Sequence, residues 1–479
     1  MNLFEKKSLE RIIAESEGGK HQLKRTLGPV NLVALGIGAI IGAGLFSLTG
    51  IAAADHAGPA VVLSFVVAAI GCAFAGMCYS EFSTMIPIAG SAYTYAYATM
   101  GELLAWIIGW DLVIEYAIGA ATVSVSWSSY VVRLLHRFSI TLPNALTHCP
   151  WDEQPGLINL PAVFIVVAIS CLLIVGISES ARVNAVIVLV KVTIVIVVIF
   201  VGYSYVKPEN YVPFIPPNTG VMGEFGWSGI MRAAGVIFFA YIGFDAVSTA
   251  AQEAKKPQRD MPIGIIGSLA VCTVLYIAFA RVLTGMVHYR TFHGDAAPVA
   301  TVIKLFPSET LQTVIYIGII AGYSSVILVM LLGQSRVFYS MSRDGLLPGL
   351  FSYIHPKFQT PSRSNLIVMS FTALLGGFIP ISNLGHFTSI GTLLAFVIVC
   401  ISILVMRKTN PDAPRPYRTP FVPLVPILGV LVCFGMMAFL DHMTWIRLGV
   451  WLAIGLVIYF SYGRHHSHLR AAVKAERAR

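Results

Sequence analysis

Apolar residues occur in this chain in long uninterrupted runs, and the length of these runs restricts what the chain can fold into. A helix needs about 20 consecutive apolar residues to cross the hydrocarbon core of a membrane. We number the qualifying runs spans 1 to 12, and they are 30–53, 59–82, 98–130, 159–177, 184–206, 227–249, 262–288, 311–341, 364–380, 385–407, 421–440 and 443–463. This pattern predicts an all-α polytopic membrane protein with twelve transmembrane helices.

Span 5 is the run in which local propensity and membrane physics disagree. Residues 184–206 are so rich in valine and isoleucine that propensity alone favours a strand. Inside lipid, only α-helices and closed barrels satisfy all backbone polar groups, and a run of this length fits a helix. We therefore predict a helix here as well.

Composition excludes several classes of protein. Charged residues make up 11% of the chain, against roughly 25% in soluble proteins, which is too few to cover a water-facing surface. The net charge of +9 does not indicate a nucleic-acid partner, because the basic residues lie in short clusters between the spans. The seven cysteines include no CxxC pair, so neither a disulfide framework nor a cysteine metal site is predicted.

Lysine and arginine residues set the predicted orientation, because cytoplasmic loops carry an excess of them. With the N-terminus inside, the cytoplasmic segments contain 22 of these residues and the opposite loops contain 6. We therefore predict that both termini are cytoplasmic and that the protein lies in the plasma (inner) membrane. Residues 1–29 are charged throughout, so we expect no cleavable signal peptide.

Two spans contain interruptions at corresponding positions. Span 1 has four glycines between Gly36 and Gly44, and span 6 has glycine and polar residues between Phe238 and Asp245. Gly42 and Gly243 are 201 residues apart, and so are the ends of spans 5 and 10. Two five-span units related in this way form an inverted repeat, and paired broken segments indicate the binding site of a transporter.

This repeat divides the chain into five predicted regions. They are a cytoplasmic segment 1–29, a first five-helix unit 30–206, a second inverted unit 207–407, helices 11 and 12 in 408–463, and a cytoplasmic tail 464–479.

Seven sequence blocks, in order over most of the chain, resemble those of the amino acid–polyamine–organocation (APC) superfamily, and specifically the bacterial members of the cationic amino acid transporter family. The blocks are GIGAIIGAGLF (36–46), PIAGSAYTYAY (87–97), GWDLVIEY (109–116), SARVNAVIVLVKV (180–192), FFAYIGFDAVSTAAQEAKKPQRDMPIGI (238–265), GQSRVFYSMSRDGLLP (333–348) and PFVPLVP (420–426). The resemblance implies a LeuT-like fold, with discontinuous helices 1 and 6 and two extra C-terminal helices. Ala43 stands where the family often has a hydroxyl residue, so a side-chain hydrogen bond to substrate is not expected there.

The two interruptions are the expected substrate site. Freed amides at Gly42, Ala43 and Gly44 begin the second half of span 1, where the helix dipole favours a carboxylate. The carbonyls of Ile40, Phe239, Ala240 and Ile242 are the expected acceptors for an α-ammonium group, and the resemblance makes Phe239 an aromatic lid. The alternatives are close helix packing for the glycines and an ordinary core aromatic for Phe239.

Lys191 is expected to couple transport to protons. It lies inside apolar span 5, where a buried ammonium is costly and indicates function. In sodium-coupled relatives of this fold, a metal ion ties span 1 to span 8 near here. A lysine bonded to span 1 carbonyls around Gly42 and Gly44 is expected to replace it. The alternative is a lysine that extends to the cytoplasmic interface.

Acidic residues at membrane depth are the remaining candidates. Asp111 and Glu115 are four residues apart on span 3, and Asp245 follows the span 6 interruption. Glu115 and Asp245 are assigned to the substrate site, although structural hydrogen bonding is an open alternative for all three acids. Ala120, Asp245, Tyr323 and Ser324 are expected to line the side-chain pocket, and Glu81 is expected to anchor the 83–97 region.

These features predict a secondary transporter that imports small neutral or cationic L-amino acids by proton symport. An amino acid exchanger and a sodium-coupled symporter are the alternatives. We expect no catalytic residues, no metal site and no cofactor besides the proton, since no catalytic pair or Walker motif is present. The expected partners are the amino acid, protons and membrane lipid, and a small single-span subunit is left open.

Overall fold

The computed structural model describes residues 5–7, 27–86, 91–152, 154–176, 181–249, 251 and 254–477. Most of the predicted segment 1–29 and part of the 87–97 block lie outside the described residues. Within the described residues, the secondary structure is helical, and the strand-like pairing is a single bridge between Leu27 and Ala254. The prediction of an all-α protein is confirmed.

The chain forms the following α-helices. The first eight are α1 (Pro29–Ile40), α2 (Thr49–Ala52), α3 (Val61–Met85), α4 (Ser91–Thr99), α5 (Glu102–Val113), α6 (Gly119–Arg137), α7 (Leu160–Val175) and α8 (Ala181–Tyr203). The next eleven are α9 (Gly226–Ile237), α10 (Ala246–Thr249), α11 (Pro257–Met286), α12 (Pro298–Val302), α13 (Glu309–Arg343), α14 (Ser362–Phe378), α15 (Ile381–Thr409), α16 (Leu424–Phe439), α17 (His442–Ile458), α18 (Arg464–His466) and α19 (His468–Arg477). π-Helical turns join several neighbours, namely Gly44–Leu48, Ala53–Ala57, Ile114–Ile118 and Tyr459–Gly463.

Among the described residues, eight helical stretches are long and apolar enough to cross a membrane. The shorter apolar helices α1, α7 and α16 fall within predicted spans 1, 4 and 11. The β-branched run of span 5 forms the helix α8, as membrane physics predicts against local propensity. The chain is therefore a polytopic helical membrane protein.

Span 1 is divided into two helical parts. Helix α1 ends at Ile40, and Ile41 adopts an extended conformation with ψ 105°. The helix resumes after Gly42, whose carbonyl accepts hydrogen bonds from the amides of Leu45 and Phe46. The backbone of span 1 therefore changes direction over two residues in the middle of the predicted run.

Span 6 is divided in a similar way. Helix α9 ends at Ile237, and a short 3₁₀ turn follows over Phe238–Tyr241. Ile242 is extended, and Gly243 has φ +113°, a conformation that favours glycine. The α-helical backbone resumes only at α10.

Glu81 binds residues near the C-terminal end of the chain, and its role in anchoring the 83–97 region stays a prediction, because residues 87–90 lie outside the described residues. Its buried carboxylate accepts two hydrogen bonds from Arg407, at 3.0 and 2.9 Å, and one from the amide of Thr419 at 2.8 Å. Arg415 lies 3.3 Å from the same carboxylate. Glu81 therefore anchors the end of α15 and the segment after it, because two arginines there supply the positive charge that a buried carboxylate needs.

Candidate functional site

The two interrupted spans touch at their interruptions. A Cβ atom added to Gly44 would lie 2.2 Å from the Cα atom of Ala240, and one added to Gly243 would lie 2.8 Å from the carbonyl oxygen of Ala39. Real Cβ atoms do not approach other atoms this closely. Glycine at both positions therefore lets the backbone of span 1 pack directly on the backbone of span 6.

The hydroxyl group of Tyr276, on α11, bridges the two interruptions. It lies 3.1 Å from the carbonyl oxygen of Ile40 and 3.0 Å from that of Ala240. One hydroxyl hydrogen is thus shared between the carbonyl of the last residue of α1 and a carbonyl of the 3₁₀ turn that follows α9. Tyr276 was not predicted from the sequence, because a tyrosine within an apolar span gives no signal of where its hydroxyl group points.

The predicted backbone groups of the site lie together, but several carbonyls already have partners inside the protein. Tyr276 donates to Ile40 and Ala240, and the carbonyl of Phe239 accepts the amide of Ile242 at 3.2 Å. A carbonyl oxygen has two lone pairs, so each can accept a second hydrogen bond from a ligand. The side chain of Phe239 is buried.

The amides predicted to bind a carboxylate lie where span 1 becomes helical again. Gly42, Ala43 and Gly44 occupy this point and all three are buried. The first amides of a helix have no intrahelical acceptor and carry the positive end of the helix dipole. Gly42 is less crowded than Gly44, because an added Cβ atom would meet only the side chain of Val326, at 3.3 Å.

Lys191 joins α8 to the end of α1. Its ammonium nitrogen donates a 2.7 Å hydrogen bond to the carbonyl oxygen of Gly38, and its side chain is buried. Gly38 lies before Gly42 and Gly44, and a bond from Lys191 to the carbonyls around those two glycines stays a prediction. Gly38 accepts the bond because α1 ends at Ile40, so the carbonyls of its last turn are the ones that lack helical partners and attract a cation.

The aliphatic part of the Lys191 side chain packs closely against α13. A Cβ atom added to Gly322, on α13, would lie 3.1 to 3.5 Å from three carbons of the Lys191 side chain. Lys191 therefore lies between span 1 and span 8, the two elements that the coupling hypothesis requires it to connect.

The three acidic residues of spans 3 and 6 are all buried. Asp245 accepts a 2.7 Å hydrogen bond from the hydroxyl group of Tyr116. The Oδ1 atom of Asp245 and both carboxylate oxygens of Glu115 are buried and make no hydrogen bond among the described residues. Asp111 lacks a hydrogen-bond partner among the described residues, and its Oδ1 atom lies against Gly391 of α15.

The residues predicted to line the side-chain pocket make specific contacts. Ala120 and Tyr323 are fully buried, and the Tyr323 hydroxyl group lies 3.0 Å from the hydroxyl group of Ser47 in the second half of span 1. Ser324 accepts a 3.0 Å hydrogen bond from the indole of Trp127. The hydroxyl group of Tyr323 therefore connects α13 to span 1, and the hydroxyl group of Ser324 connects α13 to α6.

A family model described as "Amino acid permease" matches residues 27–459. The chain belongs to this family. The APC resemblance is thereby confirmed, and the chain is a transporter rather than an enzyme. No group of three or more His, Cys, Asp or Glu side chains suited to a metal ion lies in the part of this permease that the structure describes.

Individual relatives of the permease are similar over nearly their whole length. The branched-chain amino acid permease BcaP of Bacillus subtilis is 46% identical over 98% of this chain and 99% of its own. The methylthioribose transporter of the same organism is 45% identical over the same shares. BcaP of Lactococcus lactis subsp. cremoris is 37% identical over 90% of this chain and 93% of its own.

Proposed function

We propose that this permease imports neutral L-α-amino acids across the plasma (inner) membrane by proton symport. The observation that carries the proposal is the contact between the two interrupted spans at Gly44 and Ala240, bridged by Tyr276. An amino acid zwitterion matches such a junction, because helix amides attract its carboxylate and helix carbonyls attract its ammonium group.

The membrane arrangement proposed for this function has twelve spans. Spans 1–5 and 6–10 form an inverted repeat of the LeuT-like type, and spans 11 and 12 lie outside it. Both termini are proposed to face the cytoplasm. This is supported by the excess of basic residues on that side and by contacts of Lys7 and His468 with the same residue, Asp344. The small single-span subunit stays a prediction.

Proton coupling is assigned to Lys191. With its proton, the ammonium group bonds to the end of α1 and stabilises one position of that half-helix. Without its proton, the amine no longer supplies a positive charge to the Gly38 carbonyl, and the tie between span 5 and span 1 weakens. Exchange of one amino acid for another and coupling to sodium are the alternatives that the transport measurements must exclude.

The preference for neutral side chains rests on the surroundings of the site. One carboxylate oxygen of Asp245 is already engaged by the hydroxyl group of Tyr116, so this oxygen is not set aside for a cationic side chain. The relatives bear on the same question, because the two BcaP proteins are named for branched-chain amino acids and the third relative is named for methylthioribose. Methylthioribose is a thiosugar that carries neither an ammonium group nor a carboxylate.

Counterflow in proteoliposomes distinguishes these substrates. Vesicles loaded with leucine are tested for uptake of labelled leucine in competition with alanine, arginine, methylthioribose, leucine methyl ester and N-acetyl-leucine. We expect competition by alanine and none by either blocked derivative, since each lacks one charged end of the zwitterion. Competition by both blocked derivatives, or by methylthioribose alone, would contradict the proposal.

A further inference from the structure

The C-terminal helix α19 is bonded to the beginning of α5 through a buried ion pair. Arg470 donates a 2.6 Å hydrogen bond to the carboxylate of Glu102, and both side chains are at least 95% buried. The same carboxylate also accepts hydrogen bonds from three hydroxyl groups, those of Tyr97, Tyr459 and Ser467. A carboxylate with this many donors is fully compensated for the loss of water, so α19 is fixed in place.

The helix before α19 is fixed to the same part of the protein. The indole nitrogens of Trp110 and Trp451 each donate to the other residue's carbonyl oxygen, at 2.9 and 3.2 Å, and their rings stack. Trp106 donates to the carbonyl of Gly455 at 2.9 Å. The C-terminal half of α17 is therefore bonded to α5 at Trp451 and Gly455, and α19 adds a further bond to α5 beyond the end of the span.

Helix α19 also contacts the end of α13. The amide of His468 donates to the carbonyl oxygen of Asp344 at 3.0 Å, and the His468 ring lies 2.8 Å from the carbonyl of Arg343. A Cβ atom added to Gly345 would lie 2.2 Å from the carbonyl of His466. The C-terminal segment thus fixes the backbone at Asp344.

The residues fixed in this way are those that bind the N-terminal segment. The ammonium group of Lys7 lies 2.9 Å from a carboxylate oxygen of Asp344, and the other oxygen accepts a hydrogen bond from Tyr93. The Lys7 amide donates to the carbonyl of Tyr97 at 3.2 Å, and the amide of Glu102 donates to the carbonyl of Glu5 at 3.0 Å. The N-terminal segment therefore binds three residues, Asp344, Tyr97 and Glu102. Asp344 and Glu102 are hydrogen-bonded to α19, and Tyr97 is hydrogen-bonded to Glu102.

We propose that α19 is a positioning element for the N-terminal segment: it orders Glu102, Tyr97 and Asp344 so that residues 5–7 dock on them, ahead of α1. Release of α19 therefore frees the N-terminal segment without any change in the segment itself. This inference concerns the protein's own conformation and does not depend on which substrate is carried.

Distance measurement between two spin labels tests the proposal on the full chain in lipid nanodiscs. One label is placed at Lys6→Cys, which is exposed in the N-terminal segment. The other is placed at Gly349→Cys, where an added side chain meets open space. The exposed Cys171 is replaced by alanine. We expect one narrow distance distribution in this background and a second, longer population after Arg470→Ala.

Control variants separate positioning from general damage. Lys474→Ala removes an exposed cation from the same helix and should leave the distribution unchanged. Lys7→Ala should produce the same longer population as Arg470→Ala, and the double variant should add nothing to either, because both act on one docking contact. An unchanged distribution in Arg470→Ala, or additive effects in the double variant, would overturn the proposal.

A milder variant serves if Arg470→Ala does not fold. Tyr97→Phe removes only the hydroxyl group that donates to Glu102 and leaves in place the Tyr97 carbonyl that accepts from Lys7. The longer population is expected here as well, to a smaller extent. Its absence from a monodisperse Tyr97→Phe protein would contradict the proposal.

Discussion

The ammonium group of Lys191 donates a 2.7 Å hydrogen bond to the carbonyl oxygen of Gly38, within the last turn of α1. A helix ends with unpaired carbonyls that carry partial negative charge, so a cation at this point stabilises it by about 0.3 to 2 kcal/mol. The proposed coupling links the charge of this lysine to the position of the half-helix beside the proposed substrate site.

Gly44→Val should abolish leucine uptake. The added side chain would overlap the backbone of Ala240, and neither backbone can yield without separating the two interruptions. Overpacking of this kind costs about 1 to 3 kcal/mol. Gly449→Val, at an exposed position of α17 with no atom near an added Cβ, is the matched control and should transport normally. Full transport by a folded Gly44→Val protein would show that the contact at Ala240 is not needed.

Tyr276→Phe should raise the KM for leucine while leaving the amount of folded protein unchanged. The variant removes the hydrogen that Ile40 and Ala240 share, which is worth about 0.5 to 1.5 kcal/mol, or roughly twofold to tenfold in affinity. Tyr211→Phe removes a comparable bond, to the carbonyl of Arg281 outside the site, and serves as the control. An unchanged KM in Tyr276→Phe would show that the hydrogen bonds of Tyr276 to Ile40 and Ala240 do not contribute to substrate binding.

The paired variant Asp111→Asn and Glu115→Gln tests the assignment of neutral substrates. Both side chains are buried, and both replacements keep side-chain volume while removing a titratable group. We expect uptake of leucine and alanine to persist within about threefold, since no ion pair to a substrate side chain is lost. Arginine uptake that is present in the parent protein and selectively lost in the variant would favour a cationic substrate instead.

The sequence predicts some parts of this protein and not others, for physical reasons. The helical nature of α8 follows from lipid alone, and the positions of Gly42 and Gly243 predict where the backbone leaves the helix. The hydrogen bonds that Tyr276 and Glu81 make were not predicted, because their partners depend on the rotation and depth of neighbouring helices. No periodic signal along one span carries that information. Lys191 was expected to contact span 1, but its partner Gly38 depends on where α1 ends.

Uptake of labelled leucine into sodium-free proteoliposomes, with an acidic outside and a neutral inside, tests proton coupling through Lys191 directly. We predict that the parent protein concentrates leucine above its external level. Lys191→Ala should only equilibrate it, because no charge changes during the cycle. Lys191→Arg should also fail, since guanidinium does not lose its proton in this range, whereas Lys207→Ala, in a segment predicted to face outward, should behave as the parent. Accumulation that requires sodium, or that persists in Lys191→Ala, would contradict proton coupling by this residue.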